Sequence, residues 1–223
     1  MKESYQIAVE LLQSLIKTQS FSSEEHETAE IIENWLNNQG ISTNRRQNNV
    51  WAVNKYFDES KPTILLNSHH DTVKPNKGYT NDPFDPFIEG DRLHGLGSND
   101  AGGCLVSLLS TFVHFYEEEN MTHNLVVAAT AEEESSGPNG LNSILSIIPE
   151  IDFAIVGEPT EMHLAIAEKG LLVIDAYAQG IAGHAAHAGE TMAEPLYTQQ
   201  VGSVCPHPWS CCAIGTAGFC HHH

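Results

Sequence analysis

The chain has 223 residues, with 29 acidic against 10 basic side chains and a formal net charge of -19. Such a surface repels phosphate backbones and anionic lipid head groups, which argues against nucleic-acid and membrane-surface roles. A hydrophobic content of 41% in patterned runs excludes a disordered acidic tail, and the length suffices for one core domain plus part of a second.

Lys2, Glu3, Glu10 and Lys17 break up the start of the chain, so neither a signal peptide nor a membrane span is expected there, and the expected address is the cytoplasm. Ile7, Leu11, Leu12, Leu15 and Ile16 recur at helical spacing. Ser22 and Glu25 read as a capping box that opens a helix through Ile31, Ile32, Trp35 and Leu36, stopped by Gly40. Val50 to Tyr56 is expected as a strand. Thr63 to Leu66 has the short apolar run of a buried parallel strand and leads into Ser68-His69-His70-Asp71. A long loop from Lys74 to Ser98 follows, after which Asn99 or Asp100 caps a helix through Leu105, Val106, Leu108, Leu109 and Val113. Leu125 to Thr130 is another apolar strand, ending at Glu132-Glu133-Glu134. A short helix around Leu141 to Ile147 precedes a third such strand, Phe153 to Val156, which ends at Gly157-Glu158-Pro159. Alternating strands and helices predict an α/β fold, a mostly parallel sheet with helices on both faces.

Three strands thus end in residues able to hold a cation: His69 and Asp71, then Glu133 and Glu134, then Glu158. In open α/β sheets the carboxyl ends of the strands form one edge, and ligands bind in the crevice there. Asp100, at the start of the next helix, can reach the same edge. One imidazole among several carboxylates suits zinc or a similar cation, and a carboxylate can bridge two ions. Without cations the mutual repulsion of these acids would raise their pKa values. Singly, each motif is an ordinary turn or solvated acidic run; their common edge is what makes them a site. His70 fits no ligand role, His94 and His114 read as ordinary polar residues, and Cys104 reads as a core thiol on an apolar helix. Neither a G-x-S-x-G elbow nor a G-x-G-x-x-G fingerprint is present.

Leu65-Leu66-Asn67-Ser68-His69-His70-Asp71-Thr72-Val73, Asp82-Pro83-Phe84 and Leu93-His94-Gly95-Leu96-Gly97-Ser98-Asn99-Asp100-Ala101-Gly102-Gly103 resemble the acetylornithine deacetylase and succinyl-diaminopimelate desuccinylase family of zinc metallohydrolases. Thr130 to Glu134, Val156 to Thr160 and Gly180 to Ala186 extend the likeness, which covers about residues 1–186 in the family's order. The resemblance implies a two-zinc site, cobalt being the alternative metal. In it His69 and Glu158 hold one ion, Glu134 the other, and Asp100 bridges them. Asp71 would orient His69, Glu133 would be the general base, and His184 would stabilise the oxyanion, usually across a homodimer. The implied substrate is a small N-acyl amino acid such as N-acetylornithine, which suggests arginine biosynthesis. A dipeptidase or desuccinylase is the alternative within the family. A zinc-binding fragment without turnover, using His69, Asp100 and Glu158, is the alternative outside it.

The implied organisation is a catalytic portion at 1–169, the start of an α+β lid and dimerisation domain at 170–186, and an unmatched tail at 187–223 that lacks the family's closing histidine ligand. Every Lys and Arg lies at or before Lys169, whereas Cys205, Cys211, Cys212 and Cys220 crowd the tail. Cys205, His207, Cys211, Cys212, Cys220 and His221 are ligand types, but their spacing lacks the paired C-x2-C elements of a zinc module. An out-of-frame translation from about residue 187 explains the tail better. Read in the shifted frame, the Met192 and Ala193 codons give glycine, within a run like the family's Asn-acidic-Gly segment.

Overall fold

In the computed structural model, which describes residues 2–167, the helical spacing at the start of the chain becomes α1 (Lys2–Lys17). Ala8, Leu11, Leu12, Leu15 and Ile16 are buried along one face of it. The second helix, α2 (His26–Asn38), buries Thr28, Ala29, Ile32 and Leu36. Its end is a Schellman motif: Ile41 N–H donates to Leu36 O at 3.2 Å and Gly40 N–H to Asn37 O at 3.0 Å. Gly40 supplies the left-handed φ of 78° that this closure requires. The start of α2 departs from the expected capping box, because Glu25 makes no side-chain cap bond. Ser22 Oγ donates to Asp71 instead, and the Glu25 carboxylate turns inward.

The strands are β1 (Asn44–Arg46), β2 (Asn49–Val53), β3 (Thr63–His69), β4 (Phe87–Glu89), β5 (Arg92–His94), β6 (Asn124–Thr130) and β7 (Phe153–Val156). Five of them form one sheet in the order β1-β2-β6-β3-β7, and β4 and β5 pair as a separate hairpin inside the segment read as a loop. The centre is parallel: β3 runs with β6, with His69 opposite Thr130, and with β7, with Asn67 opposite Val156. The β1–β2 edge joins antiparallel to β6. The carboxyl ends of β3, β6 and β7 therefore share one edge, as the alternation of strands and helices predicts.

Both faces of the sheet are covered. On one, Leu66, Leu125, Val127 and Ala129 pack with α1, α2 and α3 (Cys104–Phe115). On the other, Trp51, Leu65, Val126 and Ala128 pack against Ile144 and Ile148. Burial on both sides is why β6 reads as an unbroken apolar run. The covering segment on the second face holds only a 3-10 turn, Leu141–Ser143, in place of the expected short helix. Gly140 precedes it, and the chain beyond makes only a further turn, with Ile147 N–H and Ile148 N–H both donating to Ile144 O, at 2.9 and 3.1 Å.

Two further expectations change. The segment Ser98–Gly103 is an irregular π-type turn, so α3 begins at Cys104, and the Asp100 side chain meets His69 instead of capping the helix. β7 has the apolar sequence of a buried strand, yet its side chains are exposed, Phe153 at 61%. Among the described residues it pairs only with β3, as the last strand of the sheet. All these elements belong to one compact unit, Met1–Met162.

Candidate metal centre

Strand β3 delivers His69 to the common edge, buried to 1% exposure. Its Nδ1 faces the Asp71 carbonyl oxygen at 3.0 Å and Asp71 Oδ1 at 3.3 Å. Both oxygens only accept, so Nδ1 carries the hydrogen and Nε2 is the ring nitrogen turned toward the cluster, where a cation could take it. Nε2 looks onto carboxylate oxygens: Asp100 Oδ1 at 3.2 Å, Glu158 Oε1 at 3.8 Å and Glu133 Oε2 at 3.9 Å. Ligand atoms of His69, Asp100 and Glu134 lie within 4.8 Å of one another.

The electrostatics ask for a cation at this point. Burial opposes protonation of His69, but hydrogen bonds to Asp100 and Asp71 and the charges of Asp71 and Glu158 outweigh it and raise the imidazole to about 11. Burial also pushes Glu158 up to about 7, and Glu133, Asp100 and Glu134 push the same way against the opposing pull of His69. Glu134 is raised for the same reasons, burial first and then Asp100. The ring of acids thus favours positive charge at this point. The donor set, one imidazole with several carboxylates, suits a divalent cation there.

The supporting residues explain how the acids reach the edge. Asp71 is fully buried. Its Oδ1 accepts from Glu133 N–H at 3.1 Å, and its Oδ2 accepts from Glu134 N–H at 3.1 Å and Ser22 Oγ at 2.7 Å. Burial would raise its pKa, but bonds from His69, Ser22 and the Glu133 backbone more than offset that and hold the carboxyl below its usual range. Glu158 is held through its neighbour Gly157, whose N–H donates to Asn67 O at 2.8 Å and whose carbonyl accepts from Ser68 Oγ at 2.7 Å. A Cβ on Gly157 would stand 2.9 Å from Leu108 Cδ1 and 3.0 Å from Cys104 Cβ, so this close approach needs glycine.

Six of the seven residues singled out from the sequence, His69, Asp71, Asp100, Glu133, Glu134 and Glu158, meet at this edge. The seventh, His184, lies outside the described residues, as do all the tail cysteines and histidines. His70 is buried beside the site without entering it: its Nε2–H donates to Asn48 O at 2.8 Å, and Thr28 Oγ1 lies 2.9 Å from Nδ1. Burial lowers its pKa to about 4, so it is neutral. His94 stacks on Phe87 in the hairpin, ring centroids 4.7 Å apart. Cys104 is half-buried against Gly157, and burial, with Glu158 and Asp100 close by, raises its thiol, which disfavours a nucleophilic role. Sequence reasoning missed Ser22, Glu25, Glu132 and Gly157 as parts of the site. The first two carried a signal, but it was one of helix initiation.

The sequence pattern of Peptidase family M20/M25/M40 matches residues 65–203. The chain is 30% identical over 201 residues to a succinyl-diaminopimelate desuccinylase of Blochmanniella pennsylvanica, covering 82% of this chain and 52% of that protein. It is 30% identical over 191 residues to an acetylornithine deacetylase of Proteus mirabilis, covering 79% and 48% respectively. The chain spans about half the length of the curated relatives it matches. Its fold is similar to that of an M20 family metallo-carboxypeptidase from Sulfolobus solfataricus, with a TM-score of 0.56 and 24% identity over 67% of this chain and 37% of that one.

Proposed function

The chain belongs to Peptidase family M20/M25/M40, and from that premise we propose that it is the catalytic portion of a di-zinc amidohydrolase that removes the acyl group from an N-acyl amino acid. One observation carries the proposal: the buried His69 Nε2 faces oxygens of Asp100, Glu133 and Glu158 within 3.9 Å, a donor set that calls for a cation. His69 and Glu158 would hold one zinc, Glu134 the other, and Asp100 would bridge. Bound zinc would supply Lewis acidity, lowering the pKa of water at the site and polarising the scissile carbonyl.

The chain's own residues would do the rest. Asp71 fixes the His69 tautomer, so that Nε2 stays free for the metal. Glu133 is half-exposed and holds Oε2 at the rim of the cluster, where it can take a proton from the attacking water and return it to the leaving amine nitrogen. His184 would hydrogen-bond the developing oxyanion from the lid that we place at 170–186, across a homodimer. Among family substrates we favour N-acetylornithine in a cytoplasmic arginine-biosynthetic role. A desuccinylase or peptidase specificity is the alternative, in keeping with the names of the relatives.

A second reading is a zinc-binding portion without turnover. It draws on His69, Asp100 and Glu158: the one imidazole, through Nε2, lies 3.2 Å from Asp100 Oδ1 and 3.8 Å from Glu158 Oε1. Zinc content by mass spectrometry, with hydrolysis of N-acetylornithine and N-succinyl-diaminopimelate, tests both. Two zinc ions with turnover support the first reading, and one zinc without turnover supports the second. A chain that takes up no zinc refutes both. We further propose that the residues from about 187 are out of frame, against a family match that runs on to residue 203; sequencing the gene from the Gly183 codon should restore an in-frame lid, and a verified continuous frame would refute it.

A further inference from the structure

Three successive backbone N–H groups lead into the metal cluster, and two buried carboxylates receive them. Glu133 and Glu134 donate to Asp71. The N–H just before them, of Glu132, donates to Glu25 Oε1 at 3.1 Å. Glu25 is fully buried and comes from the turn ahead of α2, more than a hundred residues away in sequence. We propose that Glu25 is a positioning residue of this site: its carboxylate ties together two left-handed backbone corners, Ser23 and Glu132, and so sets the direction in which Glu133 and Glu134 enter the cluster. The inference rests on the reading of that cluster as a metal centre.

The geometry is specific. Ser23 has φ 74° and Glu132 has φ 54°, a region that side-chain-bearing residues avoid unless their surroundings hold them there. Glu25 Oε1 accepts the N–H of both, Ser23 at 2.6 Å and Glu132 at 3.1 Å. Its Oε2 accepts from Asn48 Nδ2 at 2.8 Å. The three donors are neutral amides, so this carboxylate is buried for its accepting geometry and not to balance a cation. The Glu132 side chain closes the arrangement, since its Oε1 accepts from Ser23 Oγ at 3.1 Å and its Oε2 from Asn139 N–H at 3.0 Å. Ser23 is therefore bonded to both carboxylates, and the corner at Glu132 cannot relax without breaking the turn at Ser23. Outer contacts of this kind typically change metal affinity 10- to 100-fold when removed.

Glu25 also stands at the head of α2, so a purely structural role has to be separated from a positioning one. Glu25→Leu keeps the approximate volume and removes the acceptor. Glu25→Gln keeps it: the amide oxygen can take both N–H groups while the amide nitrogen donates to Asn48, turned over. Ile32→Ala destabilises the same helix from its core side. In cobalt(II) titrations of the full chain, followed by visible absorption, Glu25→Leu should weaken the tightest site about 10- to 100-fold. Glu25→Gln should stay within about three-fold of the parent, and Ile32→Ala should bind as the parent does despite a lower melting temperature. Parent-like cobalt affinity in folded Glu25→Leu overturns the proposal.

A parent chain that takes up no cobalt refutes the metal reading alone. The positioning role is then decided by amide exchange in the metal-free chain. Glu25→Leu should speed exchange at Glu133 and Glu134, whose direct acceptor is Asp71, about ten-fold or more, whereas Ile32→Ala should not. Unchanged exchange at those two amides in Glu25→Leu overturns the proposal. If that variant does not fold, Glu25→Asp replaces it, since it draws the carboxylate back by one methylene. Weaker binding and faster exchange than in Glu25→Gln are expected, and equality of the two overturns the proposal.

Discussion

Asp71→Asn is the substitution that most directly probes how the site is built. Both carboxylate oxygens are in use: Oδ1 takes Glu133 N–H and lies 3.3 Å from His69 Nδ1, while Oδ2 takes Glu134 N–H and Ser22 Oγ. An asparagine amide has one oxygen, so its NH2 must face a donor on one side. The Ser22 hydroxyl can turn to accept from it, but a backbone N–H of Glu133 or Glu134 cannot. One buried N–H is therefore orphaned, at about 1–3 kcal/mol, and the surviving bonds lose their charge assistance at about 1 kcal/mol. The sum is about 3 kcal/mol, a large share of the stability of a single domain. In urea unfolding followed through the buried Trp51, with chelator present, the midpoint should fall by about 1–2 M. The pH dependence carries a sign. Because the folded pKa of Asp71 is lowered, its stabilisation is complete above the unfolded value of about 3.9 and disappears as pH falls through the folded value. The gap between parent and variant should thus be full at neutral pH and narrow in acid. A midpoint within about 0.3 M of the parent, or a gap that persists in acid while both chains are folded, would refute the four-donor account.

Gly157→Ala should cost about 1–3 kcal/mol by forcing a Cβ against Leu108, Cys104 and Ser68, and it should weaken zinc binding by shifting Glu158; denaturation and calorimetry check both. His70 is buried neutral with a folded pKa of about 4 against about 6.5 unfolded, so its stabilisation is whole above pH 6.5 and is lost as pH falls toward 4. The loss amounts to about 3 kcal/mol, which His70→Gln should remove from the pH–stability profile of the chelated protein. Zinc at about 100 times its dissociation constant should stabilise the folded chain by about 2.7 kcal/mol, and chelation should reverse the rise in melting temperature. A melting curve indifferent to zinc would show that the acid cluster holds no ion.

What the sequence disclosed and what it hid divide along a physical line. Apolar runs report burial, so β3 and β6 and the shared edge at which they end were legible, and with them His69, Asp71, Asp100, Glu133, Glu134 and Glu158. Apolar runs do not report neighbours. β7 has the composition of a buried strand and is exposed, because the order β1-β2-β6-β3-β7 leaves it last among the described residues. Motif grammar has a similar limit. Ser22 and Glu25 have the spacing of a capping box, but the helix begins about one turn later, at His26, with Glu25 at its N-cap. Ser22 Oγ goes to Asp71 and the Glu25 carboxylate goes to the backbone of Glu132. The local pattern marks where the chain turns, but which groups the two side chains serve is fixed by contacts 49 and 107 residues away in sequence. The Gly-Glu-Pro turn illustrates the same point, since Gly157 is required by the approach of Leu108 and Cys104 from α3 and not by its own φ. Candidate ligand atoms are legible because their chemistry names them. The residues that aim them are ordinary in sequence and become recognisable only once the sheet has brought distant turns together.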